Sequence, residues 1–93
     1  MDWKKADNKA LVSAFLALKN AGEVRRFLRD LLTENEIEEF GKRLRTAQLL
    51  SQNVPYSSIE AETGLSSTTV ARVANWLHKG KGGYALVLKR LRK

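Results

Sequence analysis

The sequence predicts an all-α fold of six helices, and three observations predict it. Apolar residues recur at three- and four-residue steps through most of the 93 residues, the period that stacks side chains on one helical face. No stretch alternates apolar and polar residues over the length of a strand. Glycine, proline and capping residues then cut the periodic pattern into segments of helix length.

Helix one runs from Trp3, with Ala6, Ala10, Ala14 and Leu18 in register and Leu11 and Phe15 beside them. It is expected to stop near Asn20, because Ala21-Gly22 places a residue tolerant of the left-handed conformation at a helix C-terminus. Helix two carries Val24, Phe27, Leu28 and Leu31. Thr33-Glu34-Asn35-Glu36 fits a capping box, so helix three begins at about Glu34. Glu34, Glu36, Glu38 and Glu39 sit where the helix dipole stabilises negative charge. Its apolar row is Ile37, Phe40, Leu44 and Ala47. Pro55 ends this helix or the turn after it, since it lacks an amide donor and restricts Val54. A short helix from Tyr56 to Thr63 follows. Gly64-Leu65-Ser66 is a tight turn, with Ser66 ready to cap a fifth helix to about Leu77 or His78. Lys79 to Gly83 reads as a flexible basic linker. Tyr84, Val87, Leu88 and Leu91 make an amphipathic sixth helix.

Composition narrows the function. With 17 Lys and Arg against 10 Asp and Glu, the formal charge of +7 favours polyanionic partners. Cysteine is absent, which removes disulfides, thiolate metal sites and Cys nucleophiles together. The most apolar stretch, Ala10 to Leu18, is broken by Ser13 and falls far short of the roughly 20 residues a bilayer span needs. No signal-peptide pattern precedes it. A soluble cytoplasmic protein without membrane partners is expected. The apolar stripe of helix one is broad, because Val12 and Leu16 lie off the face of Leu11, Phe15 and Leu18. A partner subunit is the economical cover for the second side.

Tyr56 to Leu77 carries the functional pattern. Ile59, Gly64, Val70 and Val73 have the spacing that packs two short helices across a tight turn, a helix-turn-helix. Leu65 plugs the gap between the helices, and Ser66 aims the N-terminal residues of the second outward. Ser67, Thr68 and Ala71 then face a DNA groove, where short side chains allow close approach and Thr or Ala methyls can meet a thymine methyl. Residues 67–93 hold seven cations, Arg72, Lys79, Lys81, Lys89, Arg90, Arg92 and Lys93, and no Asp or Glu. Arg72, Lys79 and Lys81 are read as phosphate contacts. Lys89 to Lys93 are either a solvated tail or further contacts.

Leu31-Leu32-Thr33, Glu36, Gly41, Arg43, Arg45, Leu49-Leu50, Glu62, Gly64, Thr69, Arg72, Asn75 and Leu77 together resemble the Trp repressor family, in particular its YerC/YecD branch. The resemblance spans Leu31 to Leu91. It implies a single domain over 1–93 that forms an intertwined homodimer. In it, 1–53 supply dimerisation helices, 56–78 the helix-turn-helix, 79–83 the linker and 84–92 a C-terminal dimerisation helix. It also implies a sequence-specific transcription regulator, a repressor by type, acting on double-stranded DNA. The DNA-contacting residues are then Ser57, Ser67, Thr68, Thr69, Ala71, Arg72, Asn75, His78, Lys79, Lys81 and Arg43. Ser57 stands near where the repressors have a basic base-contacting residue, so their operator sequence does not carry over.

Family members that bind L-tryptophan hold it against the recognition helix. Thr33, Arg43, Thr69 and Arg72 match residues of that pocket. Val73 replaces a glycine that admits the ligand and Trp76 a serine that holds its amino group, so the added volume is expected to occlude the pocket. No cofactor is therefore expected, and DNA binding should not depend on L-tryptophan. Trp76 is either the plug of that space or an ordinary packing aromatic, and Arg43 meets either a ligand, a phosphate or a carboxylate. Glu60 is read as reciprocally capping Ser57, the alternative being acceptance from a cytosine amine.

An enzyme is not expected. His78 is the sole histidine, no carboxylate pair adjoins a nucleophile, and Lys79 to Gly83 lacks the strand context of a phosphate loop. The competing reading is a helix-turn-helix-shaped protein interaction module with only non-specific polyanion affinity.

Overall fold

A computed structural model describes residues 1–92 and contains six α-helices and, among those residues, no strand. They are α1 (Ala6–Ala17), α2 (Ala21–Leu31), α3 (Glu34–Ser51), α4 (Tyr56–Thr63), α5 (Ser67–Lys79) and α6 (Gly83–Leu91). The all-α prediction holds. Lys93, the last cation of the basic tail, lies outside the described residues. No described helix is long and apolar enough to cross a membrane. The chain forms two compact units that meet within α3, one being Met1–Ile37 and the other starting at Glu38.

In the first unit α1 stops earlier than expected, and Gly22 is not its terminator. Asn20 is the N-cap of α2, its side chain accepting from the Glu23 N–H at 3.0 Å, while the Glu23 carboxylate accepts from the Lys19 N–H at 2.9 Å. Satisfying two amides at once fixes a helix start there and draws Ala21 and Gly22 into its first turn. Leu18 is left extended as the end of α1. Phe15 and Phe27 join α1 to α2 edge to face, ring centroids 5.5 Å apart. Yet neither helix has a buried residue, and Leu16 is 81% exposed. The capping box is present as predicted: the Glu36 N–H donates to Thr33 Oγ1 at 3.1 Å, and the Thr33 N–H to Glu36 Oε1 at 2.9 Å.

The second unit contains the core. Ala47, Leu50, Ile59, Leu65, Val70, Val73, Ala74 and Leu88 are buried, with Leu44, Leu49, Val54, Leu77 and Tyr84 packed around them. Here α3 ends before Pro55 acts. Asn53 adopts the left-handed conformation at φ 61°, its N–H donating to the Leu50 carbonyl at 3.0 Å and that of Val54 to the Leu49 carbonyl at 3.1 Å. This is a Schellman closure with asparagine in the glycine position. Pro55 instead serves as N-cap of α4, its carbonyl accepting from Ser58 and Ile59. The expected cap between Ser57 and Glu60 does not form. Ser57 is the second residue inside the helix and Pro55 holds the N-cap position, so Ser57 is not placed to cap.

Between α4 and α5 the tight turn follows the sequence reading. Gly64 is left-handed at φ 75°, Leu65 is buried, and the Ser66 hydroxyl accepts from the Thr69 N–H at 3.2 Å. A polar element adds to it. Buried Thr63 donates its hydroxyl to the Ile59 carbonyl at 2.7 Å and accepts from the Leu65 N–H at 3.2 Å. Buried Thr46 likewise donates to the Lys42 carbonyl at 2.8 Å, and no buried side-chain polar atom among the described residues lacks a partner. The turn is therefore fixed by hydrogen bonds as well as by packing.

Candidate nucleic-acid interface

Helix α5 divides cleanly by exposure. Val70, Val73 and Ala74 face the core, with Leu77 partly buried in line with them, whereas Ser67, Thr68, Ala71, Arg72, Asn75, His78 and Lys79 are exposed. At about 100° per residue, Ser67, Ala71, Asn75, Thr68 and Arg72 fall on one continuous arc opposite the buried stripe. The sequence favours this division, because Val70, Val73, Ala74 and Leu77 recur at three- and four-residue steps. The same burial that anchors α5 forces its polar residues into one outward row.

The front of this row is built from short side chains and its rear from cations. Ser67, Thr68 and Ala71 occupy the first turns, Arg72 and Lys79 follow, and Lys81 is exposed in the loop beyond. Among the described residues, none of Arg72, Lys79 or Lys81 makes an ion pair. Thr69 differs from its neighbours: it is half-buried, and its hydroxyl shares a hydrogen bond with Ser66 at 3.1 Å. It is thus engaged in the cap. Ser57 is exposed in the first turn of α4.

The residues matched to a ligand pocket are placed as follows. Arg43 is half-buried on α3, its Nε 3.3 Å from Glu39 Oε2 and its guanidinium 5.6 Å from the Phe40 ring centroid. Val73 is a core residue, only 3% exposed. Trp76 is 54% exposed and lines a groove of about 450 Å³ with Leu44, Lys81, Gly83, Tyr84 and Val87. Thr33 lies in the first unit, exposed and committed to its capping box.

Two features of the site escaped the sequence reading. Arg45 and Glu62 form an ion pair of 3.0 Å that ties α3 to α4 across 17 positions. No helical period signals such a pair. Gly80 closes α5, its N–H donating to the Trp76 carbonyl at 3.0 Å, and a Cβ there would collide with that same oxygen. The glycine in the basic loop is thus a steric requirement of the end of the helix, which composition alone presents only as flexibility.

Comparison with known proteins agrees with this architecture. Residues 6–92 match the family described as Trp repressor protein. The chain is 39% identical over 83 residues to the protein YerC of Bacillus subtilis, covering 89% of this chain and 80% of that one. A solved TrpR-like protein from Eubacterium eligens superposes with a TM-score of 0.90 at 35% identity, over 96% of this chain and 92% of that one. A candidate Trp repressor from Staphylococcus aureus gives 0.88 at 36% identity, over 98% and 94%. A fold and a sequence shared over nearly the whole length leave one assignment: the chain belongs to the Trp repressor family of transcription regulators, in its YerC-like branch.

Proposed function

We propose that the chain is a sequence-specific transcription regulator, a repressor by type, that acts as a homodimer and inserts α5 into successive major grooves of a palindromic site. The observation that carries this reading is the outward arc of α5, short and polar in front, cationic behind and free of carboxylates. Such a surface lets the helix approach base edges while Arg72, Lys79 and Lys81 neutralise phosphates. Family membership supports the same class of function. Homodimerisation is favoured by α1, whose apolar side chains Leu11, Val12, Phe15 and Leu16 are all exposed in the single chain. A patch of that kind on a small domain calls for a partner surface.

Binding is independent of L-tryptophan in this reading. Arg43 is engaged by Glu39, Thr33 by Glu36 and Thr69 by Ser66, so three of the polar groups matched to a ligand pocket already have partners. Val73 is packed in the core, and Trp76 stands on the wall of the groove and does not plug it in the single chain, so independence from L-tryptophan rests on the engaged polar groups. The test is selection of bound fragments from a random DNA pool, with and without L-tryptophan. Enrichment of one palindrome, with half-sites about one helical turn apart and the same in both arms, supports the proposal. Recovery of unrelated sequences would leave only polyanion affinity.

A further inference from the structure

The front of α5 offers a more specific inference, which rests on the DNA-binding reading above. Ala71 is exposed, and its neighbours on the helix surface at i−4, i−3 and i+4 are Ser67, Thr68 and Asn75. The remaining neighbour at i+3, Ala74, is turned into the core. The side chains at these four helical neighbours are no longer than asparagine, so the Ala71 methyl is flanked by short groups on this arc, with Arg72 beside it the one long side chain. Thr69 is half-buried with its hydroxyl tied to the Ser66 cap, whereas Thr68 is exposed.

We infer that Ala71, together with Thr68 one turn before it, reads thymine through its 5-methyl group, so that each half-site carries a T·A pair under Ala71. A methyl group pressed into the major groove discriminates by what it cannot do. Against guanine it leaves the N7 and O6 acceptors without a donor, and against cytosine it leaves the N4 amine without an acceptor. Thymine alone presents a methyl there, so it alone gains apolar contact, while its O4 acceptor stays open to water or to a neighbouring side chain. Asn75, one turn further on, has the paired donor and acceptor that match adenine N7 and N6. The half-site core is accordingly A·T in composition.

The experiment uses the full chain and the fragment that it selects from a random pool. Each thymine of the half-site is replaced by deoxyuridine, symmetrically in both halves, which deletes one methyl and leaves all hydrogen-bonding groups in place. One symmetric pair is expected to lower affinity about fourfold per half-site, the value of one buried methyl. Ala71→Gly should bind the thymine and deoxyuridine forms equally, and Ala71→Ser, kinder to the helix, serves as the second variant, with circular dichroism melting confirming that each is folded. If every deoxyuridine fragment binds within twofold of its parent while Arg72→Ala still weakens binding, α5 remains the DNA probe and methyl reading is wrong. If no sequence is enriched at all, both fall together.

Discussion

Arg45 Nη2 lies 3.0 Å from Glu62 Oε2, joining the middle of α3 to the last turn of the first helix of the helix-turn-helix. The two side chains are 59% and 48% exposed, so water screens the pair. Its contribution to stability should be between 0 and about 1 kcal/mol. A double-mutant cycle with Arg45→Ala and Glu62→Ala, followed by urea unfolding, measures the coupling. A value above about 2 kcal/mol would mean that the pair is far less hydrated than its exposure implies.

Thr63 should matter more than that ion pair although it carries no charge. Its hydroxyl serves both the Ile59 carbonyl and the Leu65 amide inside the core. Thr63→Val keeps the shape and leaves the Leu65 N–H unsatisfied, with an expected loss of about 1–3 kcal/mol. Urea unfolding monitored by circular dichroism reads it directly.

Gly64 is left-handed, and nothing lies within 4 Å of where a Cβ would stand. Gly64→Ala therefore meets no steric clash and pays only for the conformation, about 1–2 kcal/mol. Its thermal midpoint should fall with no change in far-UV spectrum. Gly64→Asn should fall less, since asparagine tolerates that conformation, as Asn53 does at the end of α3.

Leu16 tests dimerisation. It is the most exposed large apolar side chain after Met1, so in an isolated chain Leu16→Asp would change stability little. In a dimer covering α1, the same substitution buries an unpaired carboxylate and should shift the sedimentation-equilibrium mass from two chains toward one. A wild-type mass of a single chain contradicts the dimer outright.

The sequence made the helix-turn-helix and the capping box of α3 legible, because both are local. Gly64, Leu65, Ser66, Thr33 and Glu36 act through neighbours at most four positions away, which a sequence displays directly. The boundaries at Asn20 and Asn53 were less visible. Each depends on a choice between competing local signals, Gly22 against the Asn20 cap and Pro55 against left-handed Asn53, and hydrogen-bond satisfaction decided both. The Arg45–Glu62 pair was hidden altogether, since only tertiary packing brings residues so distant in sequence together. The outward arc of α5 was foreseen in Ser67, Thr68, Ala71 and Arg72. The engagement of Thr69 by Ser66 was not, because a hydroxyl in the first helical turn can equally face solvent or its own cap.

Affinity of the wild-type chain and of a Thr68→Ala, Arg72→Ala double variant for its selected palindrome and for scrambled DNA, over a range of salt, addresses the central claim. At physiological salt the wild type should prefer the palindrome by about a thousandfold or more. The double variant should lose most of that preference, with a salt dependence shallower by about one unit for the lost Arg72 phosphate contact. Equal affinity of the wild type for palindrome and scrambled DNA would contradict the assignment of α5 as a sequence-reading helix.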